Sequence, residues 1–149
     1  KGYHGDAAAS AGVLTDDGWL RTGDLVRGGP FGLLSFQGRS KNVIKAGGYS
    51  VYAVEVEADL EEHPDVVEAG VVGIDDDKLG QVPVAAVRLR DGATVTPDEL
   101  VSWSKGRMAR YKAPRRIVVV DELPRTGTRK IRRDHLVPLF DADSQKFGS

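Results

Sequence analysis

The segment from Gly38 to Ser50 constrains the possible folds of this chain more than any other segment, because it separates two regions with different sequence patterns. It holds three basic residues and three glycines within thirteen positions. Cations beside glycine-rich backbone suit a loop that contacts phosphate, since ammonium and guanidinium groups supply charge and glycine lets main-chain N–H groups approach. A solvated surface hairpin is the alternative interpretation of this segment on its own.

The composition narrows the class of protein. The chain has 149 residues, a formal net charge of −1 and no cysteine. This charge argues against a dedicated nucleic-acid binder, and the lack of cysteine excludes a disulfide framework and cysteine-based catalysis. No apolar run is long enough for a transmembrane segment, so we expect a cytoplasmic protein. The chain begins at Lys1, which suggests a piece of a longer protein.

Residues 1–38 are rich in turn signals. Thr22-Gly23-Asp24 is one of them, and Arg27–Pro30 separates the apolar pair Leu25-Val26 from the run 33–36. This pattern predicts a β-hairpin. Strands without a covering helix form a marginal unit, so we expect this hairpin to be the edge of a preceding domain.

From residue 42 onward, helix and strand patterns alternate. The clearest helix start is Thr96, followed by Pro97 and by Glu99 at the capping-box position. The order of elements predicts an α+β fold, a small and mostly antiparallel sheet covered by helices. The predicted elements are a hairpin around Gly47-Gly48, a helix through Ala53, Val56 and Leu60, strands at 66–74 and 82–89, a helix from Pro97 with Leu100, Trp103 and Met108 toward the core, a strand at 116–120 and a helix at 131–136.

Two charged residues stand out as candidates for chemistry. Lys130 follows the hydroxyl-rich loop 126–129, which can bring an ammonium group onto a phosphate or carboxylate oxygen. Asp24 can accept hydrogen bonds from a ribose diol. The alternatives are an exposed loop lysine and an ordinary turn aspartate. The three histidines have no metal-ligand spacing, and Asp75–Asp77 fits a solvated turn, so no metal site is predicted.

Taken together, these stretches resemble the adenylate-forming superfamily of acyl-CoA synthetases, adenylation domains and luciferases. The residues 18–24 are similar to its aspartate motif, 38–45 to its hinge motif and 123–131 to its C-terminal lysine motif, in the family's order; 79–85 and 111–115 also fit. The resemblance implies that residues 1–38 are the end of the large N-terminal domain. Residues 39–140 would form the mobile C-terminal domain, and 141–149 a flexible tail.

The resemblance also implies a role for individual residues. Asp24 would bind the ribose hydroxyls of ATP, and Arg39 would contact ribose or phosphate. Lys41 would be the hinge about which the C-terminal domain rotates between two half-reactions. Lys130 would reach the ATP phosphates and the substrate carboxylate during adenylation. In the thioester-forming step the expected residues are Lys45, Gly47 and Gly48, with Lys105 as a candidate for the phosphates of coenzyme A.

The activity that the resemblance implies is that of an ATP-dependent acyl-CoA synthetase. A carboxylic acid and ATP, as its Mg²⁺ complex, give acyl-AMP, and coenzyme A then gives acyl-CoA. The family's phosphate loop and acyl pocket lie in the N-terminal domain, so that domain is an expected partner and the chain alone is expected to be inactive. The alternatives are part of an adenylation domain that loads a carrier protein, and a non-catalytic binding module.

Two residues depart from the family pattern. Arg129 stands where glycine usually precedes the motif lysine, and Asn42 stands where an acidic residue commonly follows the hinge. Arg129 is expected to stiffen the loop and add a cation, and Asn42 to weaken a local ion pair.

Overall fold

A computed structural model describes residues 4–141 of the chain and divides it into two units, Lys1–Lys41 and Asn42–Ser149. The predicted domain boundary after residue 38 remains a prediction. Of the predicted flexible tail, residues 142–149 lie outside the described residues, and Asp141 ends a helix. Within residues 4–141, no helix is long and apolar enough to cross a membrane.

In residues 4–41, the described part of the first unit, the regular structure is a short helix and a β-hairpin. Helix α1 (Ala7–Val13) is capped by Asp6, whose Oδ1 accepts a hydrogen bond from the Ala9 N–H at 2.8 Å. Strands β1 (Asp24–Gly28) and β2 (Leu34–Arg39) pair antiparallel across a short 3-10 turn. The predicted hairpin is therefore confirmed, whereas α1 was not predicted. Several apolar side chains of this hairpin are exposed, among them Phe31, Leu33, Leu34 and Phe36.

The second unit carries most of the regular structure. Its strands and helices, in chain order, are β3 (Val43–Ala46), β4 (Tyr49–Tyr52), α2 (Ala53–Glu61), β5 (Val66–Asp76), β6 (Gly80–Leu89), α3 (Pro97–Arg107), β7 (Ile117–Val119) and α4 (Pro138–Asp141).

Strand β6 is the centre of a five-stranded sheet. Along one edge it pairs antiparallel with β5 over its whole length. Its other edge pairs with β3 at Gly80 and, further along, parallel with β7 at Ala85–Val87. Strand β4 then adds to β3 in a hairpin. All strand pairs in this sheet except β6–β7 are antiparallel, so the predicted α+β class with a mostly antiparallel sheet is confirmed.

Alternating residues of the central strands build two cores, one on each face of the sheet. Val71, Ala85 and Val87 face helices α2 and α3. Their neighbours Val72, Val84 and Ala86 face the C-terminal segment, which contributes the buried residues Leu123, Leu136 and Phe140. Gly70 permits this second contact, because a Cβ atom there would lie 2.8 Å from Leu136 Cδ1.

Helix α2 also covers the outer edge of β5 with two carboxylates. Glu57 Oε1 accepts the N–H of Val71 at 2.9 Å, and Glu61 Oε1 accepts the N–H of Ala69 at 3.0 Å. Glu57 is buried, so its hydrogen bond satisfies a polar group inside the protein. The helix is thus fixed to the sheet by side-chain hydrogen bonds as well as by apolar contact.

The start of α3 agrees with the prediction. Thr96 Oγ1 accepts the Glu99 N–H, and Glu99 Oε2 accepts the Thr96 N–H at 2.8 Å, which completes the capping box. Leu100 is buried and Met108 packs against the core. Trp103, which was expected to face the core, is only half buried and instead packs edge-on against His63.

The predicted helix at 131–136 is wrong. Only a 3-10 turn forms, at Arg133–His135, and a separate short helix α4 begins at Pro138. Ile131 is instead in a β-bridge with Arg125, and the Arg133 side chain is bound by Glu57. These contacts hold the segment in a non-helical path.

Candidate functional site

In the first unit, Asp24 and Arg39 lie opposite each other at the open end of the β1–β2 hairpin. Asp24 Oδ1 and Arg39 Nε are 3.0 Å apart, and both side chains remain partly exposed. Thr22 Oγ1 accepts the Asp24 N–H at 3.2 Å and fixes the turn. Gly23, just before, has a φ of 74° and its carbonyl accepts the Ser40 N–H at 2.8 Å. Two of the predicted nucleotide ligands are therefore brought together on neighbouring strands.

Lys41 lies in a short 3-10 turn, Ser40–Asn42, that follows β2 directly. It is the last residue of the first unit, and Asn42 is the first residue of the second. The Lys41 side chain is exposed.

Lys45, Gly47 and Gly48 lie within the hairpin formed by β3 and β4. Gly47 and Gly48 form its two-residue turn with φ of 57° and 85°, the conformation that type I′ hairpins require. Lys45 lies opposite Ser50, and its Nζ donates a hydrogen bond to Ser50 Oγ at 2.7 Å. The Lys45 amine is therefore held on the exposed side of the hairpin, close to the glycine turn.

The turn between β5 and β6 supports this hairpin from the neighbouring strand. The Gly47 N–H donates to the Leu79 carbonyl at 2.8 Å, and the Lys45 N–H donates to Gln81 Oε1 at 3.1 Å. Asp76 closes the β5–β6 turn by accepting the N–H groups of Leu79 at 2.9 Å and Lys78 at 3.0 Å. These two bonds, that of Leu79 first, lower the pKa of Asp76 below its ordinary value.

A cavity of about 450 Å³ opens beside the glycine turn. Gly47 and Tyr49 line one part of it, and Arg110, Tyr111 and residues 113–115 line another. Tyr49 and Tyr111 stack within this wall, with ring centroids 4.3 Å apart and planes at 17°. The cavity therefore has an aromatic wall next to flexible backbone.

Three cations line the same cavity. They are Lys105 on α3, and Arg110 and Arg115 in the loop that leads to β7. None of them lies within ion-pairing distance of a carboxylate of residues 4–141, and Arg115 attracts the Asp76 carboxylate only at longer range. Unpaired cations around a concave surface favour an anionic ligand, above all one with phosphate groups.

The loop that carries Lys130 is closed by its own hydroxyl and main-chain groups. The Thr126 N–H donates to the Lys130 carbonyl at 2.8 Å, and the Lys130 N–H donates to Thr126 Oγ1 at 3.2 Å. Arg129 adopts a φ of 61°, a left-handed conformation that suits glycine. Arg125 stabilises it by donating from Nη1 to the Arg129 carbonyl at 2.6 Å. The loop thus holds a left-handed arginine at the position where the family pattern has glycine.

Two ion pairs attach this loop to the body of the second unit. Arg125 pairs with Glu68 on β5. Arg133 binds both carboxylate oxygens of Glu57 through Nη2, at 2.7 and 2.6 Å. Lys130 itself is exposed, and no carboxylate in the described part of the chain pairs with it.

The predicted site residues are divided between the two units. Asp24, Arg39 and Lys41 belong to the first unit. Within the second unit, the Lys45–Gly48 turn adjoins the cavity, whereas Lys130 is not among the cavity-lining residues. Sequence reasoning named Lys105 but not Arg110, Tyr49 or Gln81 as site residues. The sequence signal was the dense basic and aromatic composition of 110–116, which by itself also fits a solvated loop.

The described residues contain no group of three or more histidine, aspartate or glutamate side chains placed to hold a metal ion.

Comparison with known proteins identifies the family. The family model for the AMP-binding enzyme C-terminal domain matches residues 55–130. The chain belongs to this family, and the resemblance to adenylate-forming enzymes is confirmed.

Three curated relatives are CoA ligases or synthetases by name. The chain is 44% identical over 137 residues to indoleacetate–CoA ligase of Aromatoleum aromaticum, covering 92% of this chain and 27% of the relative. It is 42% identical over 147 residues to 2-succinylbenzoate–CoA ligase of Geobacillus kaustophilus, covering 99% and 30%. It is 37% identical to the putative acyl-CoA synthetase YngI of Bacillus subtilis, covering 98% and 27%. The chain therefore spans less than a third of the length of these relatives.

Solved structures give the same result. ATP-bound MatB of Rhodopseudomonas palustris superposes with a TM-score of 0.85 at 30% identity, covering 94% of this chain and 28% of MatB. The o-succinylbenzoate CoA synthetase MenE of Bacillus subtilis, in complex with its acyl-adenylate intermediate, gives a TM-score of 0.83 at 39% identity, covering 91% and 28%.

Proposed function

We propose that this chain is the C-terminal part of an AMP-forming acid–thiol ligase, an acyl-CoA synthetase. The observation that carries the proposal is the shared cavity, in which the Gly47 turn lies beside Lys105, Arg110 and Arg115. A phosphorylated thiol such as coenzyme A needs cations for its phosphates and a narrow, side-chain-free passage for its pantetheine arm. This cavity offers the cations, and Gly47 leaves one part of its lining without a side chain.

The reaction has two steps. A carboxylate oxygen of the acid attacks the α-phosphorus of ATP, the bond to the bridging oxygen breaks, and pyrophosphate leaves. The thiol sulfur of coenzyme A, after losing its proton, then attacks the acyl carbonyl carbon, and AMP leaves. Mg²⁺ bound to ATP offsets the charge on the phosphates in the first step.

Each group of site residues serves one part of this reaction. Asp24 accepts hydrogen bonds from the ribose hydroxyls, and Arg39, already paired with it, contacts ribose or phosphate. Lys130 stabilises charge on the phosphates during adenylation. Lys45, Gly47 and Gly48 act in the thioester step.

Lys41 is proposed as the hinge between these steps. The division of the chain into two units falls directly after Lys41, which supports a pivot at this residue. We also propose that residues 1–38 belong to a larger N-terminal domain. The exposed apolar side chains of Phe31, Leu33 and Leu34 support this, since a surface of that kind is usually covered by another part of a protein.

Half-reaction measurements in the full-length protein test the proposal. Lys130→Ala should abolish adenylate formation, measured as pyrophosphate exchange, and leave the attack of coenzyme A on supplied acyl-AMP largely intact. Lys45→Ala should show the reverse. Equal loss of both half-reactions in the Lys130 variant, or an unaffected thioester step in the Lys45 variant, would count against these roles.

The cavity has its own test. Arg110→Ala and Arg115→Ala should each raise the KM for coenzyme A about tenfold, the effect of losing one charge-assisted contact, without changing the KM for ATP. Arg107→Ala is the matched control, since Arg107 pairs with Glu62 and does not line the cavity.

If a phosphopantetheinyl carrier protein is a better acceptor than coenzyme A by kcat/KM, the carrier-loading alternative replaces the acyl-CoA synthetase.

A further inference from the structure

The pairing between β3 and β6 is short at a point where the proposed thioester turn needs support. Ala46 on β3 lies opposite Gly80 on β6 as a main-chain pair. In the same register, the residue opposite Lys45 is Gln81. There the Gln81 side chain replaces the main chain, and its Oε1 accepts the Lys45 N–H at 3.1 Å. A side-chain amide therefore continues the ladder by one step.

The sheet provides space for this amide. A Cβ atom at Gly73 on β5 would lie 3.2 Å from Gln81 Oε1 and 2.9 Å from Ile44 Cγ2. A side chain at position 73 would therefore crowd both Ile44 and the Gln81 amide. Gln81 is half buried, so the bond is partly shielded from water.

Lys45 is thereby held at both ends. Its main chain is bound by Gln81 and its Nζ donates to Ser50 Oγ at 2.7 Å. Two residues further on, the Gly47 N–H is bound by the Leu79 carbonyl. Gln81 does not itself line the cavity.

We propose that Gln81 is a positioning residue for the thioester-forming step, which acts by fixing the main chain of Lys45 and so the orientation of the Gly47-Gly48 turn. This inference rests on the proposed function of that turn. Small displacements of a group that positions substrate reduce rate far more than they reduce fold stability. Gln81 therefore affects the second half-reaction and leaves the first one unchanged.

The test measures both half-reactions in the full-length protein that carries Gln81→Met, a side chain of similar length without an oxygen acceptor. The rate of thioester formation from supplied acyl-AMP should fall about tenfold, as the loss of one positioning hydrogen bond predicts. The loss should appear in kcat and not in the KM for coenzyme A, since Gln81 does not line the cavity. Pyrophosphate exchange should be unchanged.

Gln81→Glu should restore the thioester rate, because a carboxylate oxygen accepts the same N–H. The matched control is Glu61→Met, which removes a comparable side-chain acceptor from the Ala69 N–H on strand β5, at the edge of the sheet. This variant should leave the ratio of the rates of the two half-reactions unchanged.

The outcomes separate the inference from the function on which it rests. Equal loss of both half-reactions in Gln81→Met, a loss in the KM for coenzyme A alone, or no rescue by Gln81→Glu overturns the positioning role. Lys45→Ala is measured in parallel. If it leaves the thioester step intact, the proposed function of the turn fails, whatever the Gln81 variants show.

Discussion

Arg133 and Glu57 form a two-oxygen ion pair although they are separated by 76 residues in the sequence. The Glu57 side chain is only 11% exposed and also accepts the Val71 N–H. The pair ties the segment that follows Lys130 to helix α2 and to strand β5. The position of the lysine loop thus depends on a nearly buried carboxylate.

Arg133→Met should destabilise the chain by about 3 kcal/mol, because it leaves the Glu57 carboxylate nearly buried without its cation. Urea-induced unfolding followed by circular dichroism measures this change. Arg132→Met is the control, since the Arg132–Asp134 pair is solvent-exposed and its loss should change the free energy of unfolding far less. Similar decreases in the free energy of unfolding for both variants would mean that Arg133 does not stabilise the Glu57 carboxylate.

Alanine substitutions at the two glycines of the Gly47-Gly48 turn should lower the free energy of unfolding by different amounts. Gly48→Ala should cost about 1 kcal/mol, because alanine is strained at its φ of 85°, although the space around it is open. Gly47→Ala should cost about 2 kcal/mol, since the same strain is combined with a Cβ contact of 3.1 Å to Leu79 Cδ2.

Gly106→Ala is the control for these variants. Gly106 is helical and a Cβ there meets nothing within 4 Å, so alanine should stabilise by about 0.5 kcal/mol. Unfolding free energies from urea titration test the order of the three. A stable Gly47→Ala variant would show that the turn tolerates a side chain.

Asp59 should destabilise the folded chain at neutral pH. Burial, followed by repulsion from the Glu55 and Glu62 carboxylates, raises the pKa of Asp59 above its ordinary value of 3.8, and Lys112 and Arg107 offset this only in part. Above the raised pKa the folded state therefore holds a disfavoured charge. Below the ordinary value Asp59 is protonated in both states and the effect disappears.

Asp59→Asn should accordingly raise the free energy of unfolding at about pH 7, and this gain should vanish at about pH 3. Asp76→Asn should change the free energy of unfolding at neutral pH in the opposite direction, as a decrease. The pKa of Asp76 is lowered, so its stabilising effect is present at neutral pH and is lost as the pH falls through the lowered pKa. Unfolding curves over this pH range test both variants, and an Asp59→Asn gain that persists at low pH would contradict the charge explanation.

Local signals in the sequence were sufficient for most of the fold. The Thr96–Glu99 capping box and the Gly47-Gly48 turn each depend on residues that are close in sequence, and both were predicted. The predicted helix at 131–136 failed because Arg133 is bound by Glu57, a contact between distant residues. Helix α1 was missed because it buries no residue and therefore has no apolar periodicity.

The cavity was less predictable than the fold, because residues that are distant in sequence form it. Gly47, Lys105 and Arg110 come from a hairpin, a helix and a loop, and only the tertiary fold brings them to one surface. Gln81 lies in the stretch 79–85 that fits the family pattern, but its partner is the Lys45 main chain, which no side-chain pattern can reveal. The residues that the resemblance named, such as Asp24 and Lys130, remain predictions.

The carboxylates of helix α2 have a consequence for the behaviour of the protein in concentrated solution. Strand β5 has eleven residues and is the longest strand among residues 4–141, so its open edge would be a template for pairing with another copy of the chain. Glu57 and Glu61 already occupy the N–H groups of Val71 and Ala69 on that edge. An incoming strand would have to displace both carboxylates, and this requirement protects the sheet against edge-to-edge aggregation.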